Sequence, residues 1–532
     1  MNPRSARLSR VGRGVVITAL LAGSPARGAE IPWAIPDAPF RAAVKAKSAP
    51  SVPEAGYAIE FPELGQAMPN LADVVLLDGK GQNLAIAKIW RGEGQSGLLL
   101  ARALPAGQEA FVYFGGKRPR RHTPWAPKTS LLLETRRLPS GTKLDDWPDL
   151  ERGWKAATEI DGAGFVESIA HGENPFGESA NFLSRYTGWL ETDGKELTLY
   201  TLSSDASFVR VNDRLAFGWP GEHPARANAN SVPRKEVSTS PGATRIDYYH
   251  AKLGGGRPAM VLGWIKDGRP ETIPASAWLH PGATEVVRVE HAQGWPVPQA
   301  EISFRSYIGW NGLWLYETRG AVQPEPSSDW NVQWEWSDGA VHEGPKCERV
   351  LVGVKPLRVQ IRIARGKAET RGAHRVAFSA IPRRASTQDP AELERYLELL
   401  SREDPARLSA ETLTAGFQFL GEFGQDQIIG KWATAWLAKN PNLDDPLWIG
   451  GQLARLRSLA QVNPKQALAD LRKLDSAARR KFSKELGLCE LELLVFHLKD
   501  PNAGALANRI AFENANTDAG RLAKVRLGDL HR

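Results

Sequence analysis

The chain has 532 residues, too many for one hydrophobic core, so three or four domains are expected. A hydrophobic content of 42% excludes an intrinsically disordered chain, and a net charge of +8 spread along the length argues against a concentrated nucleic-acid surface. Two cysteines, with no C-x-x-C pair, exclude a zinc site of the usual spacing.

At the start, Arg4, Arg7, Arg10 and Arg13 flank the apolar run Val15-Val16-Ile17-Thr18-Ala19-Leu20-Leu21-Ala22. Ala26 and Gly28 follow as small residues at the positions a signal peptidase reads. Residues 1–28 therefore read as a secretory signal peptide, too short for a permanent span. No other apolar run suits a membrane helix, so the mature chain is expected to be exported without a membrane span. Its destination is periplasm, cell surface or outside.

Residues 30–130 read as an N-terminal β-sandwich. Tyr57–Phe61, 74–77, 84–90 and 110–115 are strand-like, and Asp78-Gly79-Lys80-Gly81 is a hairpin turn. The last strand ends Tyr113-Phe114-Gly115-Gly116, which resembles the Tyr-Tyr-Gly-Asn end of a small secreted domain of unknown function. Arg118 and Arg120-Arg121-His122 stand beside prolines, as Arg383-Arg384 do later, and read as solvated joints.

The most informative stretch follows. Thr187-Gly188-Trp189-Leu190 opens one strand. In Leu197–Ser203, Leu197, Leu199 and Thr201 take one face and Thr198, Tyr200 and Leu202 the other. Ser203-Ser204-Asp205-Ala206-Ser207 is a polar corner, Phe208-Val209-Arg210-Val211 a third strand, and Asn212-Asp213 a turn. Ser240-Pro241-Gly242-Ala243, Ile246-Asp247-Tyr248-Tyr249-His250, Leu262-Gly263-Trp264 and 273–279 continue the series. In order and spacing these motifs resemble the protective-antigen-type (PA-fourteen) carbohydrate-binding domain, over residues 150–282. The resemblance implies a secreted β-sandwich that binds glycans.

Residues 285–382 form a third β-region. Trp330-Asn331-Val332-Gln333-Trp334-Glu335-Trp336-Ser337-Asp338-Gly339 places Trp334 and Trp336 on one strand face before a turn. With the strand Pro356-Leu357-Arg358-Val359-Gln360-Ile361-Arg362-Ile363, it resembles a polycystic-kidney-disease-type (PKD-like) immunoglobulin-like sandwich, mostly a spacer. Ser337 stands where that family usually has glycine. Cys347 lies here and Cys489 in the next region, so a disulfide between them is not expected.

After Ser386 the composition turns to Ala, Leu, Glu, Arg and Lys. Leu393, Tyr396, Leu397 and Leu400 recur at helical spacing, as do Phe417, Leu420 and Phe423, then Ile428, Trp432 and Trp436. Asp389-Pro390, Ser409 and Asp444-Asp445-Pro446 start helices; Asn440-Pro441 and Asp500-Pro501 break them. Residues 386–532 thus read as roughly seven helices. They resemble an α-solenoid of tetratricopeptide-like pairs, which implies a surface for a protein partner.

The fold class is therefore multi-domain: tandem β-sandwiches followed by an all-α, solenoid-like region. For function, the sequence contains no G-x-S-x-G elbow, no H-E-x-x-H, no P-loop and no G-x-G-x-x-G after a strand. No cofactor and no catalytic residue is assigned. The expectation is an exported, non-catalytic protein that binds carbohydrate or cell-surface glycan, with no nucleic acid as partner. The alternatives are a structural scaffold that displays the helical region and an accessory of a carbohydrate-active enzyme. Sugar sites combine an aromatic platform with a few polar groups, so the ligand-binding candidates are Asp205, Asn212, Asp213, Trp219, His223 and Tyr249. Trp189 and Trp264, on strands, are expected in the core. The resemblance also implies a calcium site at the corner in some relatives, built on adjacent aspartates. Here Ser204 replaces the first and Ala206 the turn glycine, so no tight metal site is expected. Asp205 is expected instead to accept hydrogen bonds from amides of its own turn.

Overall fold

A computed structural model describes residues 32–92, 94, 96–225, 232–254, 256–311, 313–352, 357–376 and 384–530. The expected signal peptide, residues 1–28, lies outside the described residues. Within them, five sheets precede a run of helices, so all-β sandwiches followed by an all-α region is the architecture.

The first sheet runs in the order Val75–Leu77, Ala110–Phe114, Phe40–Ala46, Gly282–His291, Tyr57–Phe61, Gly97–Ala101, Ile86–Ile89. Phe40, Val44 and Phe114 from one half share a core with Ile59, Phe61 and Leu99 from the other, so the halves face each other. Gly282–His291 joins them. Thr284 to His291 pair antiparallel with Phe40–Ala46, while Gly282 and Ala283 pair parallel with Tyr57 and Ala58. The passage is tight: a Cβ on Gly282 would lie 2.5 Å from the Ser48 carbonyl oxygen and 2.7 Å from the Tyr57 ring. The sequence boundaries at 130 and 285 leave this strand outside the first domain. The alternation of side chains marks residues 282–291 as strand, but it does not say which distant strand they join. The second sandwich, residues 131–279, is consequently an insertion into the first.

That second sandwich packs two sheets. One runs Arg214–Trp219, Ser207–Val211, Pro241–Lys252, Phe182–Asp193, Leu132–Arg137, Ile160–Phe165. The other runs Arg234–Val237, Leu197–Ser203, Met260–Lys266, Arg269–Thr272, with Ala170–His171 beside Met260–Lys266. Leu133, Tyr186, Val209, Ile246 and Tyr248 from the first sheet meet Leu199, Met260 and Leu262 from the second. The outer face of the first sheet is covered by the helix Trp147–Ala156, whose Leu150 and Trp154 bury Phe208, Tyr249 and Ala251. Asp146 caps that helix by accepting from the Asp149 amide at 2.9 Å.

The third β-region is again two sheets, one of Lys346–Val352, Leu313–Val322, Ala300–Trp310 and Arg384–Ala385, the other of Val341–Glu343, Asn331–Trp336, Leu357–Arg365 and Ala368–Val376. Trp334 and Trp336 share the buried face of their strand. The region docks on the first sandwich through Ala373 and Arg375, whose amides donate to the carbonyls of Leu64 and Gly94 at 2.7 and 2.6 Å. Arg375 also donates from Nη1 to the carbonyl of Asp161, in the second sandwich, at 2.7 Å.

Two helices begin where the expected caps stand, whereas Trp448–Val462 begins after Leu447, beyond Asp444-Asp445-Pro446, with no side-chain cap. Asp389 accepts from the amides of Ala391 and Glu392 at the head of Pro390–Arg402, and Ser409 accepts from Thr412 at the head of Ala410–Phe423. Asp426–Lys439 ends at Asn440-Pro441. Trp448–Val462, Pro464–Arg472, Ser476–Lys481, Ser483–Glu492 with its π-helical continuation Leu493–Leu498, Ala503–Glu513 and Asp518–Leu530 complete the described series. Short breaks at 473–475 and Phe482 divide it more finely than the expected seven helices. The first helices share one core with the third sandwich, in which Leu315, Trp334 and Ile361 belong with Tyr396, Phe419 and Trp436. Cys347 and Cys489 are both free and buried.

Candidate functional site

The polar corner carries the chain from one sheet of the second sandwich to the other. Leu197–Ser203 lies in one sheet, Ser207–Val211 in the other. The corner can be polar and buried because its hydroxyls satisfy one another. Ser207 Oγ lies 2.9 Å from both Thr201 Oγ1 and Ser203 Oγ, and Ser203 Oγ donates to the Asp205 carbonyl at 2.9 Å. Ser204 Oγ accepts from the Ala259 amide at 2.9 Å, and the Ser204 carbonyl accepts from His250 Nε2 at 2.8 Å. Burial pushes the His250 imidazole down to about 4, so it is neutral near pH 7. The left-handed residue of the corner is Asp205, with φ of 64°. Aspartate tolerates that region better than most residues, and Ala206 does not adopt it.

The Asp205 carboxylate is buried and both its oxygens are engaged. Oδ2 meets Lys252 Nζ at 2.8 Å and the Leu253 amide at 2.9 Å; Oδ1 accepts from the His223 amide at 3.2 Å. The partners come from two distant segments, not from the corner's own amides as the sequence reading had it. A turn of a few residues cannot aim its own amides at both oxygens of a side chain that points inward. Nor do the described residues assemble a set that could hold a metal. No group of three or more histidine, cysteine, aspartate or glutamate side chains stands together among them. At Asp205 an ammonium already occupies the position next to the carboxylate, and its charge opposes a divalent cation.

Trp219 and His223 stand at the same end of the sandwich. Trp219 closes the edge strand Arg214–Trp219 and pairs opposite Ser207. Its indole stacks on the His223 imidazole, with centroids 3.9 Å apart and planes 16° apart. Both residues are half-buried. The His223 backbone is clamped to the corner in both directions, since the Asp205 amide also donates to the His223 carbonyl at 2.8 Å. Neither ring nitrogen of His223 has a hydrogen-bond partner among the described residues.

The other candidates lie elsewhere. Asn212 and Asp213 form the exposed hairpin turn at the opposite end of Ser207–Val211, both left-handed, with φ of 47° and 64°. At about 3.3 Å per residue, the strand separates them from Asp205 by about 20 Å. Asn212 Oδ1 accepts from the Arg245 amide at 3.0 Å, and the Arg245 guanidinium lies 3.0 Å from Asp213. Tyr249 is buried beneath the helix Trp147–Ala156, its ring 4.8 Å from Trp147 and 5.8 Å from Trp154. The structure thus brings together Asp205, Trp219 and His223, and places Asn212 with Asp213 at the far end and Tyr249 in the core. Trp264 packs against the core as expected. Trp189 does not: it is half-buried on the outer face, with Lys128 Nζ 5.3 Å above it.

Sequence reasoning missed Lys252. Its signal was there: strand alternation from Ile246 through Tyr248 and His250 puts Lys252 on the inward series. A lysine at a strand end ordinarily reads as solvated.

No protein-family model and no curated protein matches the sequence. Among solved structures, the chain is similar to a PA14 sugar-binding domain from an RTX adhesin, with 16% identity over 29% of this chain and 98% of that one, at a TM-score of 0.25. It is similar to the epithelial adhesin 6 A domain from Candida glabrata, solved in complex with Galb1-3GlcNAc, with 13% identity over 29% of this chain and 88% of that one, at 0.23. It is also similar to an anti-sigma factor domain-containing protein, with 13% identity over 48% of this chain and 98% of that one, at 0.22. At these scores the likeness carries no weight for function, which is argued from the residues alone. No described helix is long and apolar enough to cross a membrane.

Proposed function

We propose that the protein is an exported, non-catalytic carbohydrate-binding protein and that its second sandwich takes the ligand at the end holding Trp219 and His223. The observation that carries this reading is the stacked Trp219–His223 pair. An indole offers an apolar face of the kind that packs on a sugar ring. The imidazole beside it has two buried ring nitrogens without a hydrogen-bond partner among the described residues. The order of strand motifs, which resembles the protective-antigen-type domain, supports the same ligand class, and the basic-apolar N-terminus supports export. The test is a glycan array probed with the full chain and with Trp219→Ala. Retention of a sugar class by the wild-type chain and its loss in the variant, with at most a small fall in melting temperature, is the expected result. A folded wild-type chain that retains no glycan overturns the reading.

A second reading, a scaffold that presents the helical region to a protein, is favoured by one observation. Val462 and Phe512 stand 80% and 87% exposed on that region, while its first helices are fixed to the third sandwich by a common core. It predicts an array without retained sugar and a chain that folds normally.

A further inference from the structure

We propose that Lys252 is the positioning residue of the Trp219–His223 pair, acting through Asp205; this deepens the carbohydrate-binding reading and rests on it. Trp219 ends the edge strand of its sheet, which lies beside Ser207–Val211. The chain that leaves this strand needs another tether if His223 is to return and lie flat on the indole. Gly221 supplies one, its amide donating to the Leu144 carbonyl at 2.8 Å. The other is the two-way clamp between the backbone of His223 and Asp205. One half of that clamp, the His223 amide donating to Oδ1, depends on the Asp205 carboxylate staying turned inward while 4% exposed. A carboxylate so far from water is stable only beside a cation. The cation is Lys252 Nζ at 2.8 Å, itself 7% exposed, and it donates as well to the Leu253 carbonyl. Without it, the buried carboxylate has no charge partner and turns toward water, which removes the acceptor for the His223 amide. The imidazole is then held on Trp219 by the bond from the Asp205 amide alone, and its registration loosens. The register makes the link direct: Ser207 pairs with Trp219 on one side and His250 on the other, two residues before Lys252.

The test uses the full chain and three variants, Lys252→Met, Lys252→Gln and Lys252→Arg. Glutamine keeps a donor without the charge and serves if the methionine variant does not fold. Hydrogen exchange read by mass spectrometry follows the amides of Asp205 and His223 without any sugar present. Affinity is measured for a glycan that the wild-type chain retains on the array. The expected result is about tenfold faster exchange, confined to peptides spanning 203–207 and 219–225 and to the Leu253 amide, with about tenfold weaker glycan binding for Met or Gln. Arginine, which keeps the charge, retains both. Exchange that is unchanged, or raised evenly over the sandwich, overturns the positioning role. So does full glycan affinity in a chain whose clamp has opened. A wild-type chain that retains no glycan instead overturns the carbohydrate reading, and that failure is visible before any variant is made.

Discussion

Arg349 presents both terminal nitrogens to Asp338, at 3.0 and 2.7 Å, and its Nε lies 3.0 Å from Glu403. The three side chains are at most 3% exposed. Asp338 sits in the turn after Asn331–Trp336 and Glu403 caps the end of Pro390–Arg402, so the triad joins the third sandwich to the helices. The contact is close enough that a Cβ on Gly339, at φ of 94°, would lie 2.1 Å from the Arg407 carbonyl oxygen. Removing the arginine leaves the buried Asp338 without a cation and Glu403 with only the His342 imidazole, 3.5 Å away. Arg349→Met is expected to cost about 3–5 kcal/mol. Scanning calorimetry checks this through a melting transition that falls and broadens; an unchanged transition would count against it.

His250 makes stability depend on pH. Its imidazole titrates near 4 in the folded chain, against an ordinary value of 6.5, because burial disfavours the charged form. The unfolded chain therefore binds the extra proton first as pH falls, and stability drops between about 6.5 and about 4. At 1.36 kcal/mol per pH unit, the loss attributable to this residue approaches about 3 kcal/mol. Burial lowers His171, His291 and His374 as well, which adds in the same direction. Urea unfolding at several pH values measures the slope, and His250→Gln is expected to flatten it.

Calcium is expected to do nothing measurable at the corner. Titration calorimetry of the metal-stripped full chain should show no micromolar heat, and a chelator should leave the melting temperature unchanged, because Lys252 already neutralises Asp205. Micromolar binding that Asp205→Ala abolishes is the outcome that would sink this.

Tyr249 and Trp219 separate core from site. Tyr249→Ala empties the space between the sheet and the helix Trp147–Ala156, and the expected cost is about 3–5 kcal/mol. Trp219→Ala removes a half-buried ring at the end of an edge strand, at no more than about 2 kcal/mol. Chemical denaturation of the two variants gives the order; a reversed order would move Trp219 into the core and remove it from the site.

Local features were legible in the sequence. Alternation located the strands around Trp189, Leu199 and Val209, and capping residues located the helices after Asp389 and Ser409. These signals depend on neighbours within a few positions. What the sequence did not disclose depends on distant partners. The pairing of Thr284–His291 with Phe40–Ala46 is set by geometry across the chain. The ion pair of Lys252 with Asp205 is set by which strand ends converge. The same limit governed the candidate site. Asp205 and Asn212 are seven positions apart, near neighbours on paper, yet a single extended strand holds them at opposite ends of the sandwich.

The late arrival of Gly282–His291 sets an order of events for synthesis. Phe40 pairs with His291, so the first strand of the first sandwich, already beside Ala110–Phe114, must wait for its second partner, 251 positions later. The two half-sheets on either side have no shared strand until then, whereas the second sandwich already has all its strands once residue 272 has emerged. The inserted unit is therefore able to fold while its host is still open, and the host closes around the two ends of something already formed. A fragment cut at residue 130 would carry an unpaired strand edge on Phe40–Ala46, open to pairing with another chain.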